Sequence, residues 1–227
     1  MIIERECEGR YEEKRSVFIG KAWYITSADQ AEEILSSVRK KYHDARHNCF
    51  AYVLEDGEVR MSDDGEPSQT AGRPILSVIQ NRGYVNVLVT VTRYFGGTLL
   101  GAAGLVRAYT KACENALNES GSMEVTSGIR YELSYPYEFH GKITRILNEK
   151  GAMTEDCEYG ADVKCIFFIN EEKGREVCDE IAEISAGKIK PAARGKARYA
   201  LDGKTYYELG EDGSIIRKVS GAPSGEA

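Results

Sequence analysis

With 227 residues, 42% hydrophobic and 29% charged, the chain is long enough for one large or two modest domains, each with its own core. The net charge of −6 is evenly spread: 15 of the 30 basic and 18 of the 36 acidic residues fall in 1–128, so any nucleic-acid contact has to be a local patch. The 6 cysteines show no paired spacing, no apolar run approaches the ~20 residues of a membrane span, and Met1-Ile2-Ile3-Glu4 lacks the basic start of an export signal, so the expectation is a reduced, cytoplasmic protein with no membrane partner.

Residues 1–26 alternate in the manner of strands, with Val17, Ile19 and Ala22 beyond a break at Glu12 to Arg15. Ser27 is placed to cap a helix in which Ala31, Ile34, Leu35 and Val38 recur at helical spacing, and Arg39, Lys40 and Lys41 suit its negative end. A strand over 48–54 then turns through 55–58 into Val59-Arg60-Met61. Ile75, Leu76, Val78 and Ile79 predict a short helix from near Thr70, with Pro74 confined to its first turns.

Val85, Val87, Val89 and Val91 mark one face of the next strand. Arg93 shares their parity, an unusual place for a guanidinium without a partner. The spacing over 101–117 predicts a helix whose Leu105, Ala108, Ala112 and Ala116 form a thin face, suited to lying close on a sheet.

From Asn118 to Ser127 the composition turns small and polar, and a domain boundary is expected near Ser122, dividing 1–121 from 122–202. Strand 129–137, helix 138–150, strands 153–160 and 162–170, helix 171–186 and strand 188–200 give the order βαββαβ of a ferredoxin-like domain. Residues 203–227 are expected to add a hairpin through Glu211-Asp212-Gly213 and a disordered tail from Ser220.

Several motifs now stand together: Arg46-His47-Asn48-Cys49-Phe50-Ala51-Tyr52, Ser62-Asp63-Asp64-Gly65-Glu66-Pro67-Ser68, Thr70-Ala71-Gly72-Arg73-Pro74-Ile75, Val91-Thr92-Arg93-Tyr94-Phe95-Gly96-Gly97-Thr98 and Gly104-Leu105-Val106-Arg107-Ala108-Tyr109. With them the sequence closely resembles the YigZ/IMPACT family, and residues 130–200 look like the small C-terminal domain of its bacterial members. Gln69 and Ala103 depart from the pattern where a glycine or another small residue is expected. The resemblance implies an α+β fold: an N-terminal α/β sandwich like domain IV of elongation factor G, then a ferredoxin-like domain like its domain V. It also implies a role in translational control, since eukaryotic relatives bind the activator of the general amino-acid control kinase and restrain that kinase. For bacterial members it implies no settled biochemical activity.

The chemistry of the motifs leaves alternatives. Asp63, Asp64 and Glu66 either cap their own turn through side-chain-to-backbone bonds, hold a hard cation, or orient Arg93 or Arg107 across a cleft. Thr70 to Arg73 at a helix start, with Ser68 beside it, offers free N–H groups and a guanidinium, the ingredients of an anion pocket. Gly96-Gly97-Thr98 has neither the lysine of a phosphate loop nor a dinucleotide fingerprint, and its glycines suit a tight turn.

His43, His47 and Cys49 invite a metal triad or a Cys–His pair, but no Gly-x-Ser-x-Gly or His-Glu-x-x-His accompanies them. Lys188, Lys190, Arg194, Lys196 and Arg198 share parity along the last strand and form a stripe, with Tyr199 and Tyr206 nearby, that either follows an RNA backbone or is a solvated face. The expected function is therefore non-enzymatic: a translation-associated regulator that binds RNA, the ribosome or a protein partner through an anion-binding cleft, without cofactor. The alternative is a divalent-metal-dependent hydrolase of a phosphoester or peptide bond using Asp63, Asp64 and Glu66, with His47 as base.

Overall fold

A computed structural model describes residues 1–202 and 205–219; the expected tail from Ser220 lies outside the described residues. The chain divides into two compact units, Met1–Met123 and Glu124–Ala227. Both mix helices with antiparallel sheets, the α+β class that the motifs imply.

In the first unit β1 (Cys7–Glu13) and β2 (Ser16–Tyr24) form a hairpin, and the expected break narrows to Lys14 and Arg15, at φ 46° and 65°. Two left-handed residues in a two-residue turn match the twist of the flanking strands. α1 (Ala28–Lys41) starts at Ser27, whose hydroxyl accepts the N–H of Gln30 at 3.3 Å. β3 (His47–Val53), β4 (Val59–Ser62), α2 (Gly72–Asn81), β5 (Val87–Tyr94) and α3 (Gly101–Ser120) complete the unit.

The sheet order is β1-β2-β5-β3-β4, so β5 and β3 are central. Cys49, Ala51, Val53, Val87, Val89 and Val91 pack with α2 and α3, while Phe50, Tyr52, Leu54 and Leu88 pack with α1. Burial on both faces is why 48–54 reads as a nearly unbroken apolar run. The thin face of α3 does what its alanines suggest. A Cβ on Gly20 of β2 would stand 2.4 Å from the Ala112 carbonyl oxygen, so the helix lies directly on the sheet backbone.

The second unit runs β6 (Glu124–Tyr135), a 3-10 turn (Tyr137–Phe139), α4 (His140–Lys150), β7 (Met153–Tyr159), β8 (Val163–Ile169), α5 (Glu171–Ile184), β9 (Ala192–Asp202), β10 (Thr205–Leu209) and β11 (Ile215–Val219). Its sheet order, β11-β10-β9-β6-β8-β7, contains the ferredoxin-like arrangement in β9-β6-β8-β7. β10 and β11 are the expected hairpin, closed by Gly210 N–H donating to Ser214 O at 2.8 Å.

Two features depart from the sequence expectation. β9 begins at Ala192, so Lys188 and Lys190 precede it, and its register with β6 slips between Arg130 and Tyr131, opposite Gly195 at φ 115°. This bulge breaks the alternation on which a five-residue basic stripe depended. Second, the sheet face away from α4 and α5 is not open: Met153, Phe168, Ala197, Tyr199 and Val219 form a cluster there. Arg217 of β11 reaches Glu155 of β7 at 3.1 Å, joining the two edge strands of the sheet.

Candidate functional site

The acidic turn between β4 and α2 is held together by its own carboxylates. Asp63 Oδ1 accepts the N–H groups of Ala71 and Gly72 at 3.0 and 2.8 Å, and Oδ2 accepts that of Gln69 at 2.8 Å. The N-terminus of α2 therefore already has an anion, supplied by the chain itself. This corrects the expected pocket at Thr70 to Arg73. The Thr70 hydroxyl donates to the Pro67 carbonyl at 2.6 Å, Ser68 is exposed, and Arg73 is exposed on a groove between α2 and α3. Gln69 adopts φ 64°, the left-handed conformation that makes a glycine natural there.

Asp64 serves a different element. Its Oδ2 accepts the N–H of Asn48 at 2.6 Å, and its main-chain carbonyl lies 2.7 Å from His47 Nδ1. A carbonyl only accepts, so Nδ1 is the donor in this contact, and Nε2 faces Glu66 Oε1 at 3.9 Å. Glu66, buried, is the partner that the parity of Arg93 demanded: Arg93 Nη1 donates to Glu66 Oε1 at 2.5 Å. The Tyr109 hydroxyl donates to the same oxygen at 2.9 Å, and burial, then Cys49 and Glu66, raises that phenol far above its ordinary pKa.

The three carboxylates thus face three different jobs and do not converge, and no cluster of His, Cys, Asp or Glu fit for a metal occurs among the described residues. Nor does a Cys–His pair form. The Cys49 thiol points to the Asp63 carbonyl at 3.0 Å and to Tyr109 at 3.3 Å, and burial pushes it well above the ordinary thiol range, away from the thiolate a nucleophile needs. His43 lies outside β3, against the Lys40 carbonyl at 3.3 Å.

Above the Arg93–Glu66 pair opens a recess of about 290 Å³. Arg93 is only 5% exposed, and its guanidinium lies between the rings of Phe18 and Phe95, at 5.4 and 5.6 Å. His47 and Pro67 line one wall, while Phe95, Leu99 and the first turn of α3 line the other. Leu99 is 82% exposed and Phe95 40% exposed, so the rim is apolar and open. Arg46 stands at the same rim, 5.8 Å from the Phe95 ring centre.

Of the trio of guanidinium groups expected to meet the acidic turn, the recess therefore holds Arg93 alone. Arg107 is exposed on α3, where its charge is felt by Tyr11 of β1. Phe95 entered the sequence analysis only as part of a motif, and Leu99 and Leu100 did not enter it as site residues. A signal was present: Leu99 precedes the helical spacing of α3 and has no place on its buried face.

In the second unit Arg194 and Lys196, of the five basic residues expected to form the stripe, lie beside acidic neighbours. Arg194 Nε donates to Glu132 at 2.7 Å, and Lys196 lies 4.0 Å from Glu171. Lys196 and Arg198 border a depression of about 900 Å³ shared with Glu171, Glu172 and Arg175, which is mixed in charge. Lys188 and Lys190 are exposed. Tyr199 is fully buried, its hydroxyl donating to Glu155 at 2.6 Å, so it offers no ring face for base stacking.

Comparison with known proteins follows the same division. The model of the Impact N-terminal domain matches residues 14–117, and that of a domain of unknown function, DUF1949, matches residues 133–188. IMPACT family member YvyE of Bacillus subtilis (strain 168) is 33% identical over 177 residues, covering 77% of this chain and 82% of that protein. The chain belongs to the YigZ/IMPACT family. Family member YigZ of Escherichia coli (strain K12) is 31% identical over 180 residues, covering 78% of this chain and 88% of that protein. A crystal structure of a hypothetical protein, 30% identical, superposes with a TM-score of 0.54 over 86% of this chain and 96% of that one. In this IMPACT-family chain the acidic-turn motif builds the α2 cap, and the strand-to-helix motif builds the recess. No helix among the described residues is long and apolar enough to cross a membrane.

Proposed function

We propose that this IMPACT-family chain is a non-enzymatic, translation-associated regulator that works in the cytoplasm by docking on a ribosomal or translation-factor protein. The docking face is the recess above Arg93, and this is the anion-binding cleft of the N-terminal unit. Family membership supports the first part, through the role in translational control that the resemblance to the family implies. The observation that carries the second is the commitment of each acidic-turn carboxylate to its own fold, while the neighbouring recess keeps an apolar rim and a buried guanidinium. Interfaces favour such surfaces, aromatic and aliphatic anchors around an arginine.

A protein surface fits better than bare RNA. The net charge is −6, Arg194 and Lys196 sit beside carboxylates, and Tyr199 is buried. The metal-hydrolase reading would need Asp63, Asp64 and Glu66 to leave N–H and guanidinium partners that hold the unit together. Co-sedimentation of the full chain with ribosomes at low salt tests the proposal. Wild type is expected to pellet with them, and Leu99→Asp to remain in the supernatant with its unfolding midpoint unchanged. Loss of pelleting only when Lys188 and Lys190 are reversed to Glu would support RNA contact instead.

A further inference from the structure

We propose that the recess above Arg93 takes a carboxylate flanked by apolar side chains, as an acidic peptide segment or chain terminus of a partner protein presents it. The inference rests on the recess being the docking face proposed above and names what that face recognises.

Three independent features point to an anion. Arg93 gives Nη1 to Glu66, and its Nε–H is the buried side-chain donor without an acceptor among the described residues. The Nε edge of a guanidinium can pair two-to-two with a carboxylate, although here Nε has almost no accessible surface, so that pairing requires a side-chain adjustment. The 20-residue helix α3 turns its first residues, Leu100 to Ala102, into the same recess, with no capping side chain and no acidic residue in its first turn. Arg46 stands at the rim with no carboxylate at ion-pair distance among the described residues.

The kind of anion follows from charge and walls. Arg93 and Glu66 cancel, leaving Arg46 and the positive helix end, about enough for one negative charge. A phosphate dianion would meet Glu66 without a cation to spare. The walls are mainly Pro67, Phe95, Leu99, Leu100 and Leu105, with no hydroxyl or amide side chain for a ribose. At about 290 Å³ the space sits at the small end of ligand pockets (~300–1,000 Å³), the scale of one or two side chains.

The test uses the nitrogen-15-labelled full chain in solution NMR. The probes are 4-methylpentanoate, 4-methylpentanamide, inorganic phosphate, a hexauridylate RNA, the peptide N-acetyl-Leu-Glu-Leu-amide and N-acetyl-Leu-Leu with a free terminus. The carboxylate probes are expected to move the amides of Phe95 and Leu99 to Gly104 and the Arg93 Nε–H resonance. 4-Methylpentanamide is expected to bind about tenfold more weakly than the acid, and Arg46→Gln to weaken the acid by about the same factor, the worth of one charged contact. The two peptides separate a side-chain carboxylate from a terminal one.

Equal binding of acid and amide, stronger shifts with phosphate or RNA, or no movement with any probe would overturn the proposal. Ribosome association that persists when no carboxylate probe binds would sink the ligand class and leave the function standing. Probe binding without ribosome association would do the reverse.

Discussion

Asp63 reaches across nine residues to Gly72, its Oδ1 accepting that N–H at 2.8 Å, so the acidic turn is the cap of the helix that follows it. Removing the carboxylate orphans three main-chain donors at once. Asp63→Ala is expected to cost about 2 kcal/mol or more, the upper end of cap losses, and Asp63→Asn about half as much, since one oxygen remains. Chemical denaturation of the full chain measures both. Millimolar Mg²⁺ is expected to leave the midpoint unchanged, because the acidic-turn carboxylates are already engaged within the fold.

The buried pair Arg93–Glu66 gives a second prediction. Glu66→Ala strands a guanidinium that is 5% exposed, and a loss of about 3–5 kcal/mol is expected. Arg93→Met with Glu66→Met is expected to cost less than either single methionine change, because no unpaired charge remains. A double-mutant cycle read by urea unfolding shows the non-additivity.

In the second unit, pH reports on Glu208. Burial alone would raise its carboxyl, but bonds from Arg130 and Arg217 outweigh that and hold it below its ordinary value of 4.5. A depressed carboxyl contributes stability that is complete above the ordinary value and is lost as the pH falls through the depressed one. The unfolding midpoint of this unit is therefore expected to drop on acidification below about pH 4.5, and Glu208→Gln to flatten that slope. Thermal melts from pH 7 to pH 3 read the difference.

Thiol labelling tests whether Cys49 is a latent nucleophile. Cys49 and Cys113 are buried and pushed up by burial, whereas Cys7, Cys157 and Cys178 are partly exposed. Iodoacetamide at pH 8 is expected to modify the partly exposed thiols first, with Cys49 reacting only on unfolding. Fast labelling of Cys49 in the native chain would reinstate the Cys–His reading.

Much of the fold was legible because local pattern and tertiary need coincide. Ser27 caps α1, and the parity of Arg93 called for a partner, which proved to be Glu66. What escaped depends on distance. The bond from Asp63 to Gly72 requires a folded turn, so the sequence shows an acidic cluster and a vacant helix start as separate facts. The bulge at Arg194 and Gly195 shifts parity inside a strand, and Gly195 was its one visible mark. Nothing local announces that Arg217 joins the far edge strand across the face where Tyr199 is buried.

Hydrogen exchange of the full chain, with and without ribosomes, tests the central claim most directly. Protection is expected at Phe95 to Ala103 and at Arg46, around the recess, with 188–198 unchanged. Protection confined to 188–198, with the start of α3 exchanging as in the free protein, would contradict it.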